Sequence, residues 1–536
     1  MWQELIIKKQ NKTKKHFFVK CFLFMLIFIG IYCTIKVTKI TEIRNMLFIG
    51  IDLGTSACKF LLTDETGAVL NTVSREYPLM FPNPGWSEQE PEHWWQACLD
   101  GIPALLEGFD ASEVKGIGAG GQMHGLVILD ENDQVLRPAI LWNDGRTAAE
   151  VDYLNEEIGR DVLSERTANI AFAGFTAPKI LWVKKNEPEI FARIKKIMLP
   201  KDYIVYKLTG VHSCDYSDAS GMLLLDVKNK CWSKEMLSLC SVDEAQMPKL
   251  YESYDKVGTV KSELAEQFGF AGDVTVCAGA GDNAAAAVGT GTVGDGKCNI
   301  SLGTSGTVFI SSDNFGVDSG NGLHSFAHAD GYYHLMGCML SAASCNKWWQ
   351  DEIIGTKDYK GEEAKIEEDK LGKNKVFFLP YLMGERSPIN DTDARATFVG
   401  MSMDTTRADM TQAMLEGVAF AIRDSFEVAR DLGIDIKRSN ICGGGSKSPL
   451  WKKIFANVLG IPLDIIKTEE GPGYGGAMLA MVACGVYPDV RSAAEALVST
   501  VSTVEPDPTL TKLYDERYQQ YKAIYPAMKQ LFKIIK

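Results

Sequence analysis

The chain has 536 residues, 46% of them hydrophobic and 23% charged, a composition typical of a globular protein with several domains of roughly 100–200 residues each. Its formal net charge is −13 at pH 7; residues 1–45 hold nine Lys or Arg and two Glu, so residues 46–536 carry a net −20. This acidic body argues against nucleic acid as a partner, because phosphate contacts need clustered cations. Thirteen cysteines without a C-x-x-C pair indicate neither a zinc ribbon nor a disulfide scaffold, so we expect a reducing, cytoplasmic location.

The first 45 residues differ from the rest of the chain. An apolar run, "CFLFMLIFIGIYCTI" at 21–35, lies between Lys20 and Lys36, but a helix that crosses a bilayer needs roughly 20 apolar residues. Met46 immediately precedes the first strand-like segment. We therefore expect translation to start at Met46 and residues 1–45 to be an extension absent from the working protein; association with a membrane through this segment is the alternative.

From residue 47 the chain alternates short β-rich segments with longer helical ones, the pattern of α/β domains. Strands or hairpins are predicted at 47–54, 59–73, 114–121 and 125–142, and helices at 91–108 and 188–199. A second series of strands follows at 297–313, 334–340 and 439–445. The clearest helix spans 407–433, because its apolar residues recur at helical spacing and Gly433 closes it.

One motif occurs at the start of each series of strands. "IDLGTSACKFLL" (51–62) and "ISLGTSGTVFI" (300–310) share a strand, an LGTS turn and a second strand, with Asp52 replaced by Ser301 in the second copy. Such a turn can hold phosphate oxygens with backbone N–H groups and two hydroxyls, although a tight turn that needs glycine and a hydroxyl is the alternative. The repeat predicts two similar domains, each with a phosphate-binding turn at a shared cleft.

Two loops of the first half carry polar side chains. "GGQMHG" (120–125) displays an amide, a thioether and an imidazole on a loop with glycine on both sides, a combination that suits a small polyol or sugar. "LWNDGRT" (141–147) places Asp144 and Arg146 at the end of a strand. A structural histidine and a surface ion pair are the alternatives for these two loops.

An acidic residue opens an alanine-rich helix in "CAGAGDNAAAAVG" (277–289). Asp282 could be an ordinary helix N-cap. A carboxylate at this place is also expected to stay ionised, because the helix dipole favours its charge, and could accept a proton from an attacking hydroxyl. Further on, the glycine turn of "ICGGGSKSPLW" (441–451) could admit a flat base or a phosphate, or could serve close helix–strand packing.

Together these motifs resemble the FGGY family of carbohydrate kinases, within the actin-like, ribonuclease-H-like ATPase superfamily. The resemblance runs from about Met46 to the C-terminus; "GQMHG", "LWNDGR" and "GDNAA" are its most specific motifs, and "GIDLGTS", "SLGTSG", "FLPYLMGERSP" and "GGGSKSPLW" follow the family's order. It implies an α/β fold of two ribonuclease-H-like domains that face each other across a catalytic cleft. The sugar-binding domain is expected at 46–290 and the nucleotide-binding domain at 291–536.

The resemblance also implies a reaction: transfer of the γ-phosphoryl group of ATP to the 5-hydroxyl of D-xylulose. By carry-over, Asp282 is the catalytic base and Asp52 holds Mg²⁺, through water. The expected sugar contacts are Met123 and His124, with Gln122, Trp142, Asp144 and Asp282 beside them. The expected ATP contacts are Thr55, Ser56 and Lys59 in the first turn, Thr304 in the second, and Gly444, Gly445 and Ser446 near the adenosine.

Two other readings stay open at this point. A different FGGY kinase would act on another ketopentose or polyol, whereas a chaperone-type protein would bind ATP without transferring phosphate to a sugar. A homodimer is a family expectation only. The family lacks residues 1–45, which affects the expected location and not the chemistry.

Overall fold

The computed structural model describes residues 46–318, 320–467 and 470–535. Its first sheet begins with an antiparallel meander of β1 (Leu47–Leu53), β2 (Ala57–Asp64) and β3 (Val69–Glu76). It continues in parallel through β4 (Val114–Gly121) and β5 (Thr275–Cys277), so the core order is β3-β2-β1-β4-β5. The central strand β1 is almost wholly buried, because helices cover both faces of a sheet of this kind.

The second sheet repeats this arrangement. It contains β6 (Lys297–Leu302), β7 (Gly306–Ser312), β8 (Tyr333–Met339), β9 (Arg438–Cys442) and β10 (Leu463–Ile466), and its core order is β8-β7-β6-β9-β10. The first three strands pair antiparallel and the last two join in parallel. The prediction of two similar α/β domains from the repeated LGTS motif is confirmed.

The helices that position the site are α1 (Pro91–Leu105), α2 (Pro200–Thr209), α3 (Asp282–Gly289), α4 (Arg407–Asp431), α5 (Pro449–Leu459) and α6 (Gly471–Ala483). Other helical segments are Ala148–Asp152, Tyr153–Gly159, Arg160–Thr167, Thr176–Asn186, Pro188–Phe191, Tyr216–Ala219, Lys234–Cys240, Ser262–Phe268, Ala343–Trp348, Trp349–Ile354, Tyr359–Glu363, Val490–Leu497, Pro508–Lys522 and Ile524–Phe532. Shorter strands are Glu88–Gln89, Val127–Leu129, Ala139–Ile140, Lys196–Met198, Ser213–Asp215, Leu225–Asp226, Cys231–Trp232, Lys249–Tyr251, Lys256–Thr259, Ala280–Gly281, His324–Ala327, Phe377–Leu379, Thr397–Val399 and Thr500–Val504.

Helix α6 follows the last core strand of the second sheet, yet it packs on the first sheet. A Cβ atom at Gly50 of β1 would lie 1.9 Å from the carbonyl oxygen of Gly473, and one at Gly118 of β4 would lie 2.0 Å from that of Gly476. Only glycine permits backbone contact this close. The two halves of the fold are therefore joined at the strands that lead into the site.

We expect Gly50→Ala to lower the free energy of unfolding by about 1–3 kcal/mol or more, because the added methyl group must push the helix backbone away from the sheet. Denaturant unfolding of the purified variant measures this change. Gly316→Ala is the matched control, since the atom nearest to its Cβ would be Leu432 Cδ1 at 3.7 Å. Equal stability of the two variants would contradict the proposed constraint.

Most of the predicted elements agree with the structure. The strands at 47–54, 114–121 and 297–313, the hairpin at 59–73 and the long helix are present, and Gly433 adopts a φ of +84° just beyond α4. The helix predicted at 188–199 is wrong, because only Pro188–Phe191 is helical and Lys196–Met198 pairs as a strand with Val127–Leu129.

The apolar run at 21–35 and the proposed extension 1–45 lie outside the described residues. Within the part of the chain that the structure does describe, none of the helices has the length and apolar character needed to span a bilayer.

Candidate active site

The first LGTS turn lies between β1 and β2 and is held in place by side-chain hydrogen bonds. Gln89 Nε2 donates to the Thr55 carbonyl oxygen (2.6 Å), and Thr55 Oγ1 donates to Gln122 Oε1 (3.3 Å). Gln122 Nε2 in turn donates to Gln89 Oε1 (3.0 Å). The exposed Trp142 closes the turn from the other side, with its indole N–H donating to Thr55 Oγ1 (2.9 Å). This network fixes the turn while Ser56 stays exposed to the cleft.

Asp52 is half-buried near the end of β1, opposite Lys59 on β2. Burial raises the pKa of Asp52 to about 6, although the charge of Lys59 lowers it. The Lys59 ammonium is paired with Glu470, just before α6. Both partners are partly exposed, and an ion pair of this kind contributes little stability, so little free energy is needed to release Lys59 to a phosphate group.

Asp282 is the first residue of α3, and Gly281 occupies the N-cap position. Its Oδ1 accepts from the backbone N–H (2.8 Å) and the side-chain amide (3.1 Å) of Asn283, whereas Oδ2 accepts no hydrogen bond from the described residues. Burial and the charge of Asp52 raise the pKa of Asp282 to about 7. The expectation that the helix terminus keeps this group firmly ionised is thus too simple, because desolvation outweighs the dipole.

Met123 and His124 lie next to Asp282. The Met123 thioether packs against Gly281, and the Asn283 amide points at its sulfur (3.8 Å). His124 has a φ of 68° and places Nδ1 2.8 Å from the Gly221 carbonyl oxygen. A carbonyl can only accept, so Nδ1 carries the proton. Burial lowers the pKa of His124 to about 3, so the ring is neutral and Nε2 is an acceptor.

An aromatic cluster that the sequence does not single out surrounds His124. Phe175 lies 4.8 Å from the imidazole between ring centroids, and Phe172 lies 5.5 Å from Phe175. His324 and Phe326, a stacked pair from the second domain, complete it. Their positions depend on contacts between segments about 150 residues apart, and no local pattern marks them.

Two of the predicted sugar contacts are engaged elsewhere. Gln122 is buried in the network beneath the first turn. The buried Asp144 carboxylate accepts from the backbone N–H of Ser87 (2.6 Å) and from the Arg146 guanidinium (2.7 and 2.9 Å). These contacts favour the structural alternative for both side chains; their contact with a sugar stays a prediction.

The second domain contains the second LGTS turn and a large cavity beside the glycine turn at 443–445. Thr304 is exposed at the turn, and its carbonyl oxygen accepts from the backbone N–H of Ala342 (3.1 Å). A cavity of about 840 Å³ is lined by Gly444, Gly445, Asn346, Tyr359, Glu363 and Trp451. The Ser446 hydroxyl donates a hydrogen bond to the Gly443 carbonyl oxygen (2.7 Å) within the same turn. Gly444 and Gly445 therefore line a large cavity; their contact with the adenosine stays a prediction.

Comparison with models of known protein families identifies the family to which this two-domain fold belongs. The model of the FGGY family of carbohydrate kinases, N-terminal domain, matches residues 47–289, and that of its C-terminal domain matches residues 298–484. The chain belongs to the FGGY family of carbohydrate kinases. Use of ATP as phosphoryl donor follows from this membership.

Individual relatives of this FGGY kinase match over nearly their whole length. A xylulose kinase from Escherichia coli is 39% identical over 89% of this chain and 98% of its own. The crystal structure of a xyloylose kinase from Brucella ovis matches with a TM-score of 0.86, 41% identity, 90% of this chain and 100% of its own. That of a gluconate kinase from Lactobacillus acidophilus also gives a TM-score of 0.86, at 25% identity over 92% of this chain and 100% of its own.

Proposed function

We propose that this FGGY kinase transfers the γ-phosphoryl group of ATP to the 5-hydroxyl of D-xylulose, giving D-xylulose 5-phosphate and ADP. The full-length similarity to xylulose kinases supports the choice of sugar. The observation that carries the chemistry is the Asp282 carboxyl: Asn283, which also contacts the Met123 sulfur, holds its Oδ1, whereas its Oδ2 accepts no hydrogen bond from the described residues. Such a product would feed D-xylose carbon into the pentose phosphate pathway, in the cytoplasm.

In the proposed mechanism each polar group has one task. Asp282 Oδ2 orients the sugar 5-hydroxyl. It accepts the hydroxyl proton while the hydroxyl oxygen attacks the γ-phosphorus of ATP and ADP leaves. The neutral His124 accepts a hydrogen bond from another sugar hydroxyl at Nε2, and the Met123 thioether packs on the carbon face. Phosphoryl transfer depends mainly on position and charge, so the two LGTS turns and Lys59 would hold the phosphates in line.

The acidic residues of the cleft fit a divalent cation. Asp52 and Asp282 lie close enough for the charge of one to raise the pKa of the other, which a cation between them would relieve. Mg²⁺ is commonly held by one or two carboxylates together with water and substrate phosphates. We assign Asp52 as the residue that holds Mg²⁺, through water. When bound, the ion would neutralise charge on the phosphates and so favour transfer.

A substrate panel tests the proposed specificity. We expect kcat/KM to be highest for D-xylulose among D-xylulose, D-ribulose, glycerol and gluconate, because the Escherichia coli relative that matches over nearly its whole length at 39% identity is a xylulose kinase. Gluconate is the informative rival, given the similarity to a gluconate kinase fold. A clear preference for any of the other three compounds would overturn the choice of D-xylulose.

A further inference from the structure

One half-buried arginine in the second domain has no acidic partner among the described residues. Arg386 stands in the loop between the strands Phe377–Leu379 and Thr397–Val399. Its Cζ lies 4.2 Å from the ring centroid of Phe172, and its Nε is buried without a hydrogen-bond partner. No ion pair among the described residues includes it. Burying an unpaired cation is costly, and such groups are concentrated at functional sites.

The neighbouring acid does not neutralise this charge. Glu385 Oε1 accepts from the backbone N–H groups of Leu340 (2.9 Å) and Arg386 (2.7 Å). Burial raises the pKa of Glu385 to about 8, so its carboxyl is mostly protonated at neutral pH. The backbone of Arg386 is fixed as well, because Ser387 and Cys338 exchange hydrogen bonds of 3.0 Å. A rigid support thus holds an uncompensated cation.

The guanidinium is connected to His124 by a chain of aromatic contacts. Phe172, on which it stacks, contacts Phe175, and Phe175 contacts His124. Besides burial, the charge of Arg386 lowers the pKa of His124. Besides burial, the charge that raises the pKa of Asp282 is that of Asp52, not that of Arg386. Cys338 is within electrostatic reach of both Arg386 and Asp282. Arg386 and Asp282 therefore both lie near Cys338, which pairs with Thr307 just beyond the second LGTS turn.

A ketose carbonyl needs a hydrogen-bond donor, whereas the two groups assigned to the sugar hydroxyls are acceptors. Asp282 Oδ2 and His124 Nε2 are both acceptors and suit hydroxyl groups. A ketone oxygen can only accept, and arginine has only donors, arranged as a fork. We propose that Arg386 binds the C1–C2 end of the ketose, donating to the carbonyl oxygen and to the C1 oxygen, while Asp282 serves the 5-hydroxyl. This assignment rests on the proposed function.

The test compares D-xylulose with 1-deoxy-D-xylulose in the full chain. A hydrogen bond to a charged group contributes about 1.5–3 kcal/mol, so the wild type is expected to prefer D-xylulose by ~10-fold or more in kcat/KM. In Arg386→Met this ratio is expected to fall to within about threefold, through a higher KM for D-xylulose and an unchanged KM for ATP. Arg386→Lys, which keeps the charge but not the fork, is expected to lie between.

Arg395→Met is the matched control, since Arg395 is exposed in the same loop and donates only to nearby backbone carbonyls. It is expected to keep the wild-type ratio. An unchanged ratio in Arg386→Met overturns the assignment, and so does a raised KM for ATP, which would place the guanidinium on the phosphates. If the wild type does not phosphorylate D-xylulose at all, the proposed function itself fails; if it does, only the assignment of Arg386 is at stake.

Discussion

Asp282→Asn is expected to lower kcat for D-xylulose phosphorylation by ~10³-fold, the scale of a lost general base, with little change in the KM for ATP. In the wild type the base must be ionised, so with a pKa of about 7 kcat/KM is expected to rise with pH and level off above neutrality. The variant is expected to lose this dependence. Coupled assay of ADP release across pH 5.5–8.5 measures both effects.

Stability separates lost chemistry from lost folding in this variant. The folded pKa of Asp282 lies above that of an unfolded aspartate, so its ionisation opposes folding once the pH exceeds the unfolded value. Asp282→Asn should therefore raise Tm at pH 8, and the gain should vanish near pH 4. Asp435→Asn, at an exposed acid, is the control. Near wild-type sugar phosphorylation in Asp282→Asn would contradict the assignment of Asp282 as the catalytic base.

Asp52→Asn is expected to raise the Mg²⁺ concentration needed for half-maximal rate by ~10–100-fold, as removal of a residue that holds a metal through water does. It has a second expected effect. The charge of Asp52 raises the pKa of Asp282, so its removal should move the acid limb of the pH profile to lower pH. Mg²⁺ titrations and pH profiles at saturating Mg²⁺ measure the two effects.

Asp435→Asn again serves as control and is expected to leave both measurements unchanged. Unaltered half-saturation by Mg²⁺ in Asp52→Asn would show that other groups hold the ion. An unaltered pH profile would show that the two carboxylates do not interact during turnover.

Much of the fold and of the candidate site could be predicted from the sequence because the signals are local. Short β-rich segments and glycine turns marked the core strands, and the repeated LGTS motif marked the two matching domains. Short sequence motifs also identified Met123, His124 and the acidic residue that begins α3 as candidate site residues. The failed helix at 188–199 shows the limit, since its last residues pair with a strand about 70 residues away.

What only the tertiary structure decided depends on where distant segments meet. Helix α6 packs on the first sheet through the close backbone contacts at Gly50 and Gly118. Lys59 forms an ion pair with Glu470, more than 400 residues further along the chain. Desolvation, not the helix end, sets the pKa of Asp282 near 7, and Arg386 stacks on the distant Phe172 without an acidic partner among the described residues. The local sequence pattern determines which helices and strands form. Burial and contacts between distant segments determine the charge state of the site residues and the partners that they meet.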